Sequence, residues 1–327
     1  MTVIDIHTHM LSEEYLRRLI DYSDGVYTVG EAAGGHRSIH RSGAPFLTLT
    51  PAMFDYRLRI KDMDAAGVDV AVISLSCPNV YWGTPETSAA VAAVMNDQMA
   101  GAQADYPDRI RFLASLPWQH ADAAVAELER ALRLGAVGVM VLANIAGSAL
   151  TDQRFSPVWQ AIDRHALPVL VHPGTPPGLE QMGMDRYHLV WSVGFTFDTT
   201  LALARMILDG FFDRYPSLKI IGAHAGGYLP FLMPRLDQGF RSFDAVRESI
   251  TAPPSSYLPR LYVDSIVYST LARDFSLATF GPGNVLYGSD YPHKCGRMDE
   301  MLNALDGLSP SVRAAVTAGN AERLFTL

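Results

Sequence analysis

The sequence predicts an α/β fold, a (β/α)8 TIM barrel with a small insertion after the first strand, and three observations carry that reading. Eight short apolar segments alternate with helical stretches, as in parallel βαβ units, and a count of eight favours a closed barrel over an open sheet. No linker breaks the alternation, since Pro253-Pro254-Ser255-Ser256 is only loop-sized and no low-complexity tract or repeat occurs. Residues 1–327 therefore read as one domain. Finally, ionisable side chains gather where the strands end, which is where barrels of this kind carry their chemistry.

The first strand is Val3-Ile4-Asp5-Ile6-His7-Thr8-His9, an apolar run closed by two histidines two positions apart. Strand side chains repeat with period two, so both imidazoles leave the same face and form half a metal site. Ser12 is placed to cap a helix that stops near Tyr22, and Glu14 is favourable at its start. From about residue 24 to residue 50 no helical period holds, which predicts an irregular insert or a small β excursion. A helix over Met53 to Ala66 leads to a second strand, Val68 to Ser74.

The rhythm is regular from there. Helices over Pro85 to Asp105, Ala121 to Leu134, Phe155 to His165 and Thr196 to Phe212 each precede a strand. Those strands are Ile110 to Ser115, Gly138 to Val141, Pro168 to His172 and Leu218 to His224. A helix from Gly227 to Phe240, the strand Leu261 to Asp264, a helix near Leu271 to Phe280 and the strand Asn284 to Asp290 follow. Helices near Asp299 and Pro310 close the chain.

Composition narrows the function. Hydrophobic residues make up 49% and charged residues 18% of the 327, enough for a large core and no sign of disorder. A formal net charge of −8 and the absence of a Lys/Arg cluster argue against a nucleic-acid partner. No apolar run reaches the roughly 20 residues of a membrane helix. With only Cys77 and Cys295, and a start that enters a strand directly, a reduced cytoplasmic setting is expected.

Six ionisable residues end strands: His7 and His9 the first, His172 the fifth, His224 the sixth, Asp264 the seventh and Asp290 the eighth. Singly, a cap or a turn explains each; six at one end of a barrel point to a site. His165 suits a helix C-terminus, and His36, His40, His120 and His188 fall in loops. His293 is a weaker candidate, set apart only by following Asp290 closely. None of the three lysines, Lys61, Lys219 and Lys294, ends the fourth strand, where barrels with two bridged metals carry a carboxylated lysine. One metal is expected. Its donors suit zinc with an open coordination position and also accept manganese or iron.

Several motifs carry a family resemblance. Asp5-Ile6-His7-Thr8-His9, Val171-His172-Pro173, Gly222-Ala223-His224-Ala225-Gly226-Gly227, Arg235-Leu236-Asp237 and Gly288-Ser289-Asp290-Tyr291-Pro292 resemble the decarboxylase branch of the amidohydrolase superfamily. The likeness runs over essentially the whole chain, including Met63 to Val70 and Phe212 to Ile220. It implies one Zn²⁺ held by His7, His9, His172 and Asp290, with His224 as the base and Asp290 sharing its proton. Arg235 resembles an arginine that family dimers insert into the neighbouring subunit's site to hold a substrate carboxylate, and Trp191 resembles an aromatic wall. A homodimer or larger is thus expected. A second carboxylate-binding arginine of close relatives is absent, its region reading Phe46-Leu47-Thr48-Leu49-Thr50, with Arg37 and Arg41 nearby in the insert.

The chemistry read from the residues agrees with two outcomes. Zinc lowers the pKa of its water towards about 7, and His224 is placed to take the proton. That serves non-oxidative decarboxylation of a small unsaturated or aromatic carboxylic acid, the first reading, and equally a hydrolase or hydratase acting on a lactone, ester or amide. Trp82, Trp191, Phe195 and Tyr291 are the aromatic residues expected around a flat ligand.

Overall fold

The structure, a computed structural model, describes residues 2–32, 34–179, 181–184 and 186–327. Eight parallel strands lie side by side in chain order: Ile4–Met10, Val70–Leu75, Ile110–Ser115, Gly138–Leu142, Pro168–His172, Lys219–Gly222, Leu261–Asp264 and Val285–Leu286. Both faces of such a sheet are covered, so the strands are continuous apolar runs rather than alternating ones. Ile4, Ile6, Val72, Leu113, Met140, Leu170, Ile221 and Leu286 form an inner cluster, while Ala71, Ile73, Phe112, Val139, Val141, Val169, Ile220 and Val263 belong to the cluster shared with the helices.

The barrel closes through the backbone beyond the eighth strand. Ile6 N–H donates to Tyr287 O (3.0 Å), Asp290 N–H to His7 O (2.8 Å) and His9 N–H to Tyr291 O (2.7 Å). The eighth strand was expected over Asn284 to Asp290, yet its ladder covers only Val285–Leu286. The segment after it follows the first strand irregularly because Asp290 sits at φ 58°, outside strand geometry. A side chain at Gly288 would bring its Cβ to 2.9 Å from the Cβ of His7, so only glycine lets the two strand ends meet this closely.

The helices follow the expected order with caps the sequence displays. Ser12 accepts from the Tyr15 N–H (3.0 Å), Asp55 caps the helix Tyr56–Ala66, and Gly67 ends that helix at φ 74°. The long helix expected over Thr196 to Phe212 is broken at Gly210, φ 64°, into Phe195–Leu208 and Phe211–Arg214. The insert is a three-stranded antiparallel sheet, Tyr27–Ala32, His36–Arg41 and Ala44–Thr48. Its Tyr27, Ile39 and Leu47 pack with Tyr15, Leu16 and Leu19 of the first helix and with Val91 and Met95. No helix among the described residues is long and apolar enough to cross a membrane.

Candidate metal centre and active site

The first strand delivers its two histidines to one face through a bulge. Asp5 pairs with Ala71 and Thr8 with Ile73, so three steps on one strand face two on the other. Ile4 and Ile6 point inward below the bulge, and His7 and His9 do so above it. Asp5 faces the other way, where its carboxylate accepts from the Ser289 hydroxyl and from the backbone N–H of Ser289 (3.1 Å) and of His7 (3.2 Å). Burial pushes the Asp5 carboxyl up to about 6, with the Ser289 bond opposing it.

Around this pair the expected rim residues meet. His7, His172, His224 and Asp290 each offer a donor atom, all within 4.8 Å of one another. His9 Nε2 stands 3.1 Å from His7 Nε2 and 3.2 Å from Asp290 Oδ1, and its ring lies 4.7 Å from that of His172. His7 Nε2 is 3.5 Å from Asp290 Oδ1, and His224 Nε2 is 3.5 Å from Asp290 Oδ2. His224 is not the end of a strand as expected. The sixth strand stops at Gly222, and His224 and Ala225 form a left-handed turn at φ 52° and 53°.

The outer nitrogens of His7, His172 and His9 are engaged, whereas His224 Nδ1 is buried without a partner among the described residues. His7 Nδ1 lies 2.6 Å from Asp264 Oδ2, His172 Nδ1 lies 2.9 Å from Pro173 O, and His9 Nδ1 lies 3.1 Å from Ser74 Oγ. Carboxylate and carbonyl oxygens only accept here, so Nδ1 carries the proton on His7 and His172 and Nε2 is left as the inward lone pair. His172 Nε2 and Asp290 Oδ1 are buried without a hydrogen-bond partner. Two imidazole nitrogens at 3.1 Å beside an unpartnered carboxylate oxygen call for a cation between them. Imidazole and carboxylate donors suit zinc, manganese or iron, so the residues present fit a single divalent ion.

Electrostatics agree. Burial alone would raise the Asp290 carboxyl, but His293, His224, His9 and His7 outweigh it and hold it well below the usual range. Burial lowers His9 to about 3 against the pull of Asp290, and lowers His172 well below its ordinary value, helped by His9 and His7. His7 is raised instead: burial opposes its charge, yet Asp264 and then Asp290 outweigh that.

The remaining expectations divide. His293, given little weight in the sequence, lies at the cluster, its Nε2 3.0 Å from Ser76 Oγ and 3.9 Å from Asp290 Oδ1. The signal was its position three residues after Asp290. Trp191 is 40% exposed, with its ring 6.0 Å from that of Tyr268, and Cys295 Sγ lies 4.0 Å from Asp290 Oδ2. Trp82 is a correction, while Tyr291 is half-buried and lines a cleft with Thr50, Asp62 and His293. Trp82 is buried and donates to Asn79 O (2.8 Å), while Tyr291 bonds Asp62 and carries the Arg59 guanidinium over its ring (4.8 Å). Trp82 is a structural aromatic. Arg37 is paired with Glu13 (2.8 Å), and Arg235 is exposed on the helix Leu229–Ser242.

A family profile described as Amidohydrolase matches residues 4–327, and the chain belongs to that family. Among curated relatives, the 2-amino-3-carboxymuconate-6-semialdehyde decarboxylase of Dictyostelium discoideum is 29% identical, over 97% of this chain and 90% of its own. Among solved structures, 5-carboxyvanillate decarboxylase LigW from Sphingomonas paucimobilis superposes with a TM-score of 0.86 at 26% identity, covering 100% of this chain and 99% of that one. The 5-carboxyvanillate decarboxylase from Novosphingobium aromaticivorans, complexed with manganese and 4-hydroxy-3-methoxy-5-nitrobenzoic acid, gives 0.82 at 26%, covering 100% and 96%.

Proposed function

We propose that this protein is a metal-dependent, non-oxidative decarboxylase, a carboxy-lyase acting on a small aromatic or unsaturated carboxylic acid. The observation that carries the reading is the convergence of inward donor atoms from His7, His9, His172 and Asp290, those of His172 and Asp290 unpartnered, beside His224. Decarboxylase relatives covering nearly the whole chain favour loss of CO₂ over hydrolysis.

His7, His9, His172 and Asp290 would hold one ion per chain. Zinc is the first choice from the donor set, and the manganese in the Novosphingobium structure supports manganese as the alternative. When bound, such an ion acidifies water and offsets the charge of a substrate carboxylate. The chain's own groups do the rest. His224 Nε2, beside Asp290 Oδ2, takes a proton and returns it to the carbon whose bond to the carboxylate has broken, the electron pair having stayed on that carbon. Asp290 shares that proton. Trp191, with the Tyr268 ring beside it, would flank a flat substrate.

Arg235 would hold a substrate carboxylate in the site of a second copy, which makes a homodimer or larger the working unit. Both cysteines are free thiols, in keeping with a cytoplasmic setting. The test is a screen of zinc- and manganese-loaded protein against carboxylated phenols and muconate semialdehydes, scored by CO₂ release. Hydrolysis of lactones or esters with no CO₂ from any acid would overturn the decarboxylase reading in favour of a hydrolase.

A further inference from the structure

The seventh strand ends in a carboxylate that the reaction proposed above does not use. Asp264 is fully buried, and four hydrogen bonds converge on it. Oδ2 receives His7 Nδ1–H (2.6 Å) and His224 N–H (2.7 Å); Oδ1 receives Ala225 N–H (2.9 Å) and Ile266 N–H (3.0 Å). Every partner is a donor, so the group is built as an acceptor on both oxygens.

Two of these bonds reach the turn that carries His224. His224 and Ala225 both hold positive φ, 52° and 53°, without being glycine. Left-handed backbone is disfavoured for residues with a Cβ and persists only where the surroundings over-determine it. The Asp264 carboxylate, receiving both amide protons of that turn, supplies this. The third bond reaches His7. An imidazole whose Nδ1–H is fixed on a carboxylate presents Nε2 as its lone pair, in a fixed ring orientation.

We propose that Asp264 is a positioning residue that sets His7 and His224 together, holding the one in its Nδ1–H tautomer with the Nε2 lone pair inward and the other in the turn that aims its ring at Asp290. The proposal rests on the reading of His7 as a metal ligand. A single carboxylate then ties the first strand to the sixth, so that metal donor and proton acceptor keep one relative geometry.

Asp264→Asn is the diagnostic change, because its amide replaces an acceptor by a donor facing donors. Zinc affinity is measured on the whole chain by competition with a chromogenic chelator, which needs no substrate. Asp264→Asn is expected to weaken zinc binding roughly 10- to 100-fold in the wild-type background. In a His7→Ala background it should add less than about 3-fold, since the two changes remove one interaction. Losses that multiply in full, or no loss from Asp264→Asn alone, would overturn the proposal and leave the ligand assignment standing. If His7→Ala itself leaves zinc affinity unchanged, the ligand assignment fails and takes the proposal with it.

Two measurements on the unmutated, zinc-loaded protein keep the idea exposed if the variant does not fold. Nitrogen-15 spectra should show the His7 proton on Nδ1, and the amides of His224 and Ala225 should be strongly protected from hydrogen exchange. A proton on Nε2, or amides exchanging like those of an open loop, would overturn it.

Discussion

His9 Nε2 stands 3.2 Å from Asp290 Oδ1, so the ends of the first and eighth barrel strands meet through side chains as well as backbone. A cation placed among these groups ties the barrel's closing seam. The purified protein should therefore carry about one divalent ion per chain, and chelation should lower its melting temperature. Saturating zinc at about 100 times its Kd should restore roughly 2.7 kcal/mol of stability. Elemental analysis giving two ions per chain, or His7→Ala with full metal content, would contradict this.

His224 has a different expected signature. Its Nε2 is 3.5 Å from Asp290 Oδ2, and the ring is assigned the role of proton acceptor, not ligand. His224→Asn should retain the metal and lose roughly 10²-fold or more in turnover. Metal content falling in step with activity would make His224 a ligand instead.

How far these residues were legible depends on the kind of signal each gives. The alternation of apolar runs and helical stretches fixed the strand order, and the ends of strands one, five and seven already carried histidine or aspartate, with Asp290 shortly after strand eight. The bulge between Asp5 and Thr8 left no trace in the sequence. Below it Ile4 and Ile6 face inward, so a strict period of two would have sent His7 and His9 outward. Trp82 looks like a pocket aromatic because sequence cannot show that its indole N–H is claimed by Asn79 O and its ring buried. Arg59 was invisible for the same reason: a guanidinium in a helix that also carries Arg57, Lys61 and Asp62 reads as surface, and only tertiary packing buries it.

That buried arginine yields a stability prediction. It donates to Thr8 Oγ1 (2.6 Å), His9 O and Met10 Sδ (2.9 Å), and it lies over the Tyr291 ring. A lysine there has one charged nitrogen and no planar fork, so buried acceptors at the base of the metal site would go unpaired. Arg59→Lys is expected to cost about 2–4 kcal/mol in urea denaturation of the metal-free protein. Unchanged stability would mean the cavity accommodates an ammonium equally well.

Asp198 makes a pH prediction. Its side chain is buried, accepts from Gly174 N–H (3.0 Å) and Asn144 Nδ2 (2.9 Å), and burial pushes its carboxyl up to about 6 against those bonds. The unfolded chain releases this proton near the ordinary value, about 4, before the folded one does. Stability from this group is therefore lost as pH rises between about 4 and 6, the reverse of an ion-paired carboxylate. The deficit of Asp198→Asn relative to wild type should shrink by about 1.4 kcal/mol from about pH 5 to about pH 7.5. A difference independent of pH would show that Asp198 ionises normally in the folded state.

Arg235 is the residue whose assigned partner lies outside its own chain. It is exposed on the helix Leu229–Ser242, and Asp237, its nearest acidic neighbour in sequence, is taken up by the Ser255 N–H (2.9 Å). Tyr228 and Phe231, 37% and 78% exposed, fall on the same helical face at spacings of three and four, an apolar surround that a second copy would cover. A guanidinium reaching across such a contact would grip a substrate carboxylate by a two-pronged, charge-assisted bond. Arg235→Ala should accordingly raise KM and lower kcat together. The decisive experiment mixes Arg235→Ala chains with His224→Asn chains, each nearly inactive alone. Working in trans, the mixed dimer has one site with both defects and one with neither, so activity should recover towards half that of the wild-type dimer. No recovery, with subunit exchange verified by mass, would assign Arg235 to its own chain or to no catalytic role.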